Sequence, residues 1–431
     1  MAVIIPFRGV LYDAEKIGGY ESAVAPPYDV ISKDEQAALL RRHKFNVVRL
    51  ILPQDMPGDN PISNKYTRAG TLLDTWLERG VLRRDVDPAI YIYRQDYEFQ
   101  GRALSRIGFI ALAKIEELTS GKIMAHEKTL AGPKADRLNL IRATKANLSQ
   151  VFSLYSDPDG RVDELLEELT AAPPDIEFSF QSVGQKLWRV SDANAISTVA
   201  ELMRDKSLFI ADGHHRYETA LNYRNEMRER TGLKDGNQPF DYVMMMFVNM
   251  DSEGLTILPT HRVLRNLPKI NEEKFRANLS HFFDVTALES LDDLLKSMSE
   301  LRGEHAMGAY IGRKSYTLLT VPDERRIELA IDGQHSQAWK LLDVTILHGL
   351  VIGRILGLKG TNMENGIRFT VDEKEAVSLV DNGGYQAAFF LNPPDVSQIR
   401  SIAKGGEAMP QKSTYFYPKP LSGLVINRLK W

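Results

Sequence analysis

The stretch Phe209–Ala220 (FIADGHHRYETA) constrains the fold most, because an apolar strand runs through an Asp-Gly pair directly into a helix. Gly213 at this junction allows a left-handed backbone or the close approach of a ligand, and the first N–H groups of a helix can bind an anion. His214, His215 and Arg216 bring hydrogen-bond donors and positive charge to the same point. The junction therefore predicts a site for a phosphate or diphosphate.

Asp212 has more than one possible role at the junction. A carboxylate opposes an anion directly, so we expect Asp212 either to hold a Mg²⁺ ion that bridges the phosphates or to orient a neighbouring histidine. The structural alternative is that Asp212 only caps the helix. A zinc site is a weaker alternative, because the stretch has no His-Glu-x-x-His spacing and no third ligand nearby.

A second cluster is His126-Glu127, which lies between two lysines and ahead of a predicted helix. A glutamate in this setting can act as general base for a hydroxyl proton, with His126 as a candidate substrate contact. The alternative is a solvated loop. The cations that follow, Lys134, Arg137 and Arg142, are expected to be surface charges more than ligands, with Lys134 and Arg137 the best ligand candidates among them.

A third cluster, Lys412-Ser413-Thr414, follows a glycine pair near the carboxyl terminus. It is not a Walker-type phosphate loop, because Gln411 stands where the glycine before the lysine belongs. One cation and two hydroxyls could still bind phosphate oxygens, and a plain turn before an apolar strand is the alternative. Arg262, at the end of a predicted strand, is a candidate for a further phosphate or substrate contact.

Apolar periodicity predicts an α+β fold with mixed and antiparallel sheets and flanking helices. Residues 89–99 and 107–115 flank Gln100-Gly101 at hairpin distance. Helical periodicity covers residues 136–150, and a long helix is predicted over residues 336–358. The apolar run within it, residues 344–358, is interpreted as buried and is too short to span a bilayer.

The chain of 431 residues is long enough for two or three domains of about 150 residues. We expect a catalytic region at residues 1–265 and a second α/β region at residues 266–431. The absence of cysteine excludes disulfides and thiolate chemistry, and a net charge of −3 argues against nucleic acid as a partner. The amino terminus does not have the pattern of a signal peptide, so a cytoplasmic protein is expected.

Together the motifs resemble a bacterial and archaeal family known as a domain of unknown function. More remotely, they resemble the free serine kinases of the ParB/sulfiredoxin superfamily, whose hallmark is a strand followed by Asp-Gly-His-His-Arg and a helix. Residues 212–216 match this hallmark letter for letter. His126-Glu127 resembles the His-Glu pair of those kinases, and residues 410–414 resemble their late Pro-Lys-Thr-Thr loop with one inserted residue.

The resemblance implies a ParB/sulfiredoxin-like core around the Asp-Gly-His-His-Arg motif, with additional α/β regions. It also implies a kinase that phosphorylates the hydroxyl of free L-serine to O-phosphoserine. Glu127 would take the hydroxyl proton, Asp212 would position Mg²⁺ or the base, and His215 would act beside them. The phosphoryl group and the donor would be held by Gly213, His214, Arg216, Lys412, Ser413 and Thr414.

The sequence has no nucleotide fingerprint, so ATP, ADP and inorganic pyrophosphate remain open as donors. The expected partners are a small substrate, serine, and this donor, with no membrane. The main alternative is a ParB-like nucleotide-binding regulator or DNA-associated protein, which the balanced charge disfavours. A phosphatase or phosphate-ester lyase would use the same anion site.

Overall fold

The computed structural model describes residues 2–125, 127, 131–358 and 366–430. Packing divides the chain into two compact units. Unit 1 comprises Met1–Ala125, Thr129–Thr256 and Pro418–Trp431, and unit 2 comprises His126–Lys128 and Ile257–Tyr417. The expected division at residue 265 stays a prediction, because packing defines compact units and not independently folding domains.

Unit 1 is built on a nine-stranded mixed sheet in which eight strands follow the order β6-β11-β8-β12-β5-β4-β10-β9, and β1 pairs with β5. Two-stranded ribbons flank it. The strands up to Thr256 are β1 (Ile4–Ile5), β2 (Val10–Tyr12), β3 (Leu82–Arg84), β4 (Ile90–Phe99), β5 (Arg102–Lys114), β6 (Ile123–Ala125), β7 (Ala146–Asn147), β8 (Val151–Tyr155), β9 (Ile176–Phe180), β10 (Val183–Val190), β11 (Leu208–Asp212) and β12 (Tyr242–Asn249).

Helices cover this sheet. They are α1 (Ala14–Ile17), α2 (Tyr20–Ala23), α3 (Lys33–Arg42), α4 (Val48–Ile51), α5 (Lys65–Glu78), α6 (Ala131–Thr144), α7 (Arg161–Leu169), α8 (Ala193–Met203) and α9 (His214–Thr231). Every residue of β12 is buried, as expected for a central strand covered on both faces.

The predicted hairpin is confirmed, since β4 and β5 pair antiparallel from Phe99 opposite Arg102. Gln100 and Gly101 form its turn, both with positive φ. The helix predicted over residues 136–150 is wrong at its end. It stops at Thr144 because Lys145 adopts a φ of 48°, and the next two residues form β7.

Unit 2 contains a six-stranded sheet in the order β15-β17-β16-β19-β14-β18, with antiparallel pairing throughout. The strands from the unit boundary onward are β13 (Thr256–Leu258), β14 (His261–Leu264), β15 (Asp284–Leu288), β16 (Met307–Tyr310), β17 (Tyr316–Thr320), β18 (Ile367–Thr370), β19 (Ala387–Phe390) and β20 (Tyr415–Tyr417). The strand β21 (Asn427–Arg428) belongs to unit 1, where it pairs with β7.

The helices of unit 2 are α10 (Glu272–Leu279), α11 (Leu291–Glu300), α12 (Glu324–Ala330), α13 (Gln337–Lys340), α14 (Asp343–Ile346), α15 (Glu373–Asp381) and α16 (Val396–Lys404). The single long helix expected over residues 336–358 is wrong. Leu342 is extended, with φ −66° and ψ 132°, and separates α13 from α14. The chain then continues as a π-helical stretch, Leu347–Ile355.

The α+β class with mixed and antiparallel sheets and flanking helices is confirmed. In the part of the chain that the structure describes, no helix is both long enough and apolar enough to cross a membrane.

Replacing Gly108 in β5 by alanine should destabilise unit 1. The added methyl group would lie 2.4 Å from the main-chain oxygen of Phe247 and 2.7 Å from a side-chain carbon of Val248. Overpacking of this kind costs about 1–3 kcal/mol, which urea denaturation should show as a lower midpoint. Gly132→Ala in α6 is the control, because no described atom lies within 4 Å of its added methyl. Equal midpoints for the two variants would contradict this packing.

Candidate functional site

The Asp-Gly-His-His-Arg stretch forms the predicted junction between a strand and a helix. β11 ends at Asp212, Gly213 is the N-cap in a left-handed conformation with φ 89°, and α9 begins at His214. Gly213 and not Asp212 therefore caps the helix, and it contributes no side-chain cap. A side chain here would be strained by the positive φ, and its Cβ would lie 2.8 Å from the guanidinium carbon of Arg216.

Asp212 is the counter-ion of two cations. Its Oδ2 accepts a hydrogen bond from Nη2 of Arg216, and its Oδ1 accepts one from Nζ of Lys419 at 2.5 Å. The three side chains are only 9–12% exposed. Arg216 also donates through Nη1 to the main-chain oxygen of Gln150. The cluster is thus a buried set of two positive charges and one negative charge at the start of α9.

These contacts do not fit a magnesium ion held by the protein at Asp212. Both carboxylate oxygens already accept hydrogen bonds from cations, whereas Mg²⁺ needs oxygen ligands that face the metal. Among the described residues, no group of three histidine, aspartate or glutamate side chains could hold a metal ion. The role predicted for Asp212 as a Mg²⁺ ligand is therefore not supported by its surroundings.

His214 and His215 occupy the first turn of α9, an eighteen-residue helix. His214 is buried and His215 is half-buried. The N–H groups at the start of a helix have no partner within the helix, and the helix dipole favours negative charge there. These general properties apply to the first turn of α9, and anion binding there stays a prediction.

Two further residues of unit 1, Tyr28 and Arg137, lie near this cluster. Tyr28 follows a Pro-Pro turn, and the Arg137 guanidinium sits 4.0 Å from its ring centre. Burial raises the pKa of Tyr28 to about 12, and Arg137, Arg216 and Asp212 all act on it electrostatically. Arg137 was expected at the surface, but its side chain is buried and forms a salt bridge with Asp136. In the sequence, the Pro-Pro pair directly before Tyr28 is the one local sign of this turn.

Tyr28, Arg137 and Arg216 line a cleft in unit 1. Most of its other lining residues are apolar. Two buried polar atoms at this cleft, Nε of Arg216 and Oγ1 of Thr219, have no hydrogen-bond partner in the described part of the chain. A buried donor left unpaired costs free energy, so the cleft is suited to a ligand or water that pairs with them.

The other candidate residues lie in unit 2. Glu127 forms a parallel bridge with Met409 through the main chain, while His126 lies outside the described residues. Lys412 has a φ of 56°, and the Ser413 hydroxyl donates to the carbonyl of Pro410. Ser413 therefore stabilises the turn itself. Thr414 is buried after it.

Arg262 organises this region of unit 2. Its side chain is fully buried, and Nη1 and Nη2 donate to the carbonyls of Thr260 and Lys412. Nε donates to Nε2 of His348 at 3.2 Å. Burial lowers the pKa of Arg262 to about 9, and the Glu127 carboxylate opposes this shift electrostatically. Burial, together with Arg262, lowers the pKa of His348 to about 3, so His348 is the neutral acceptor of this hydrogen bond.

The predicted residues thus fall into two groups, one in each unit. Unit 1 brings the stretch Asp212–Arg216 together with Lys419, which the sequence did not single out. Unit 2 brings together Glu127, Arg262 and the 410–414 loop, with His348 as the addition.

The family model described as a protein of unknown function (DUF1015) matches residues 4–345. The chain belongs to this family. The predicted membership is confirmed by a match over most of the chain, and no curated protein matches it.

Solved structures similar to the chain include a free serine kinase in complex with AMP, as the remote resemblance predicted. It is 13% identical, with a TM-score of 0.35, and the match covers 71% of this chain and 86% of the kinase. A conserved hypothetical protein from Pyrococcus furiosus is 12% identical, with a TM-score of 0.34 and coverage of 72% and 92%. Truncated SbnI from Staphylococcus aureus is 10% identical, with a TM-score of 0.35 and coverage of 73% and 85%.

Replacing Asp212 by asparagine should destabilise the protein strongly. Removing one partner of a buried ion pair costs on the order of 3–5 kcal/mol, and here two cations lose their counter-charge. Lys419→Met should lower the free energy of unfolding less, because the Asp212–Arg216 pair remains. Urea denaturation measures both, with exposed Asp205→Asn as the control. An Asp212→Asn variant as stable as the wild type would show that Asp212 is not the counter-ion of these cations.

Acidification should destabilise unit 2 through His348. Its pKa of about 3 in the folded protein lies below the ordinary value of 6.5, so the unfolded chain takes up a proton first as the pH falls below 6.5. The free energy of unfolding therefore falls by about 1.4 kcal/mol per pH unit, or by about 2 kcal/mol between pH 6.5 and 5. His348→Gln should remove this part of the pH dependence. Exposed His281→Gln should keep it, and identical slopes for the two variants would contradict the assignment.

Proposed function

We propose that this protein is a phosphotransferase that transfers a phosphoryl group to the hydroxyl of free L-serine, giving O-phosphoserine. The observation that carries the proposal is the Asp-Gly-His-His-Arg stretch at the end of β11, where Gly213 is left-handed and Arg216 is held on Asp212. This is the hallmark of the free serine kinases that the sequence resembles. A ParB/sulfiredoxin-like core around this stretch is part of the proposal.

Unit 1 supplies the groups for the phosphoryl donor. The main-chain N–H groups at the start of α9, with His214, His215 and Arg216, would bind its phosphate oxygens. Lys419 adds a second cation beside Arg216 through their shared partner Asp212. Phosphoryl transfer depends mainly on positioning and on stabilising charge in the transition state, and this cluster is suited to both.

Unit 2 supplies the base. Glu127 lies close enough to Arg262 to oppose the lowering of its pKa, and its backbone is fixed by Met409. In the proposed reaction Glu127 takes the hydroxyl proton as the serine oxygen forms a bond to phosphorus. The bond from that phosphorus to the leaving oxygen of the donor breaks, and its electron pair leaves with ADP, AMP or phosphate when the donor is ATP, ADP or pyrophosphate.

The 410–414 loop would assist at the phosphoryl group through the Lys412 cation. Ser413 contributes to the turn through its bond to Pro410, so its role is to position Lys412 and Thr414. Since the described residues do not fit a magnesium ion at Asp212, no step of this mechanism depends on a metal bound by the protein. Any metal required for turnover would arrive with the donor.

The decisive experiment incubates the purified protein with L-serine and each donor in turn, with and without Mg²⁺, and measures O-phosphoserine. We expect product with at least one donor. Glu127→Gln should lower kcat on the order of 10²–10⁴-fold, the usual contribution of a general base. Exposed Glu289→Gln in the same unit is the matched control and should keep full activity.

No product with any of the three donors would refute the kinase proposal, and an unchanged kcat for Glu127→Gln would refute the role of Glu127. Phosphate release from phosphoserine without a donor would indicate a phosphatase instead.

A further inference from the structure

Unit 2 contains a second cavity that the proposed reaction has not yet used. Thr260, Arg262, Asp343, Met409 and Ser413 are among its lining residues. The cavity is smaller than the cleft in unit 1, which favours a small metabolite. It carries one guanidinium and one carboxylate, whereas the cluster of unit 1 has two cations and one carboxylate.

Arg262 provides the positive charge of the cavity. Each terminal nitrogen of a guanidinium carries two N–H groups, and Nη1 donates to one acceptor in the described residues, the carbonyl of Thr260. One N–H of Nη1 therefore remains for a ligand. No carboxylate of the described residues forms a salt bridge with Arg262, and Glu127 acts on it electrostatically. A carboxylate on a ligand would complete its neutralisation.

Asp343 provides the negative charge. Leu342 interrupts the expected long helix and places Asp343 at the first position of α14. Its Oδ1 pairs with Nδ1 of His305 at 2.8 Å, and its side chain is 19% exposed. Its Oδ2 receives no hydrogen bond from the residues that the structure describes and can accept one from an ammonium group.

Thr260 is the independent sign of a ligand. The residue is 5% exposed, and its Oγ1 is buried without a hydrogen-bond partner among the described residues. A hydroxyl in this state costs free energy unless something in the cavity pairs with it. The hydroxyl can donate to a carboxylate oxygen next to the Arg262 guanidinium.

We propose that this cavity binds the zwitterionic backbone of a free amino acid, with Asp343 binding the α-ammonium group and Arg262 and Thr260 binding the α-carboxylate. The assignment of serine as that amino acid rests on the proposed function. Met409 connects this cavity with the proposed base, since it lines the cavity and forms the main-chain bridge with Glu127.

The first test uses the wild-type protein and calorimetric titration with three probes. L-serine has both charged groups, 3-hydroxypropionate lacks the ammonium group, and ethanolamine lacks the carboxylate. We expect L-serine to bind and both analogues to bind at least about 10-fold more weakly, because each leaves one charged partner unpaired. Equal affinity for the three probes, or no binding of any L-amino acid from a full panel, would overturn the proposal.

Two variants assign the partners. Asp343→Asn should weaken the binding of L-serine about 10-fold or more and leave the affinity for 3-hydroxypropionate unchanged. Exposed Asp332→Asn is the control. Thr260→Val should weaken the binding of L-serine without lowering the melting temperature of the protein, because the hydroxyl that it removes has no partner among the described residues. Thr345→Val is the matched control, since its Oγ1 is also buried and unpaired but does not line the cavity. Unaltered serine affinity in both Asp343→Asn and Thr260→Val would overturn the assignment.

The outcomes separate this inference from the proposed reaction. Serine binding that depends on Asp343, without phosphoserine from any donor, would refute the kinase and support the amino acid site. Phosphoserine formation with an unchanged KM for serine in Asp343→Asn would support the kinase and refute this site.

Discussion

The burial of Asp212 between Arg216 and Lys419 is the interaction on which the site of unit 1 depends. Arg216 is one helical turn away from Asp212, but Lys419 is 207 residues away. Buried polar groups hold the carboxyl-terminal segment in place, because Arg106 donates to the carbonyl of Pro418 and Gln150 donates to that of Leu421. The charge balance of the local motif is therefore completed by the end of the chain, and the site forms only when unit 1 is fully folded.

The buried guanidinium of unit 2, Arg262, has different partners from Arg216 in unit 1. Arg262 is surrounded by main-chain carbonyls and by the neutral ring of His348, where Arg216 has a carboxylate. Carbonyl dipoles satisfy the N–H groups but do not neutralise the charge, so burial lowers the pKa of Arg262 to about 9. The remaining positive charge favours an anion nearby, and Glu127 and a carboxylate ligand are the two groups suited to that role.

The sequence predicted the elements that depend on local patterns, and it missed the contacts that join distant segments. The β4–β5 hairpin and the β11–α9 junction follow from apolar periodicity and from single glycines. Lys419 could not be predicted, because nothing in its neighbourhood indicates a partner at Asp212. The prediction of one helix over residues 336–358 was wrong because a local pattern was overridden. Its apolar pattern predicts a continuous helix, but Leu342 is buried in an extended conformation and interrupts it, and that depends on tertiary packing.

The charges of the two clusters explain why their ligands would differ. With Asp212, Arg216 and Lys419 charged as their salt bridges require, the unit 1 cluster carries a net charge of about +1. A diphosphate carries more negative charge than this cluster can neutralise. The remainder must be met by the dipole and N–H groups at the start of α9, or by a cation that arrives with the donor. The unit 2 cavity holds one guanidinium and one carboxylate, which suits a ligand with no net charge. A polyanion in that cavity would meet Asp343, and a zwitterion in the unit 1 cluster would lack a free carboxylate for its ammonium group. The distribution of charge thus favours the donor in one unit and the amino acid in the other.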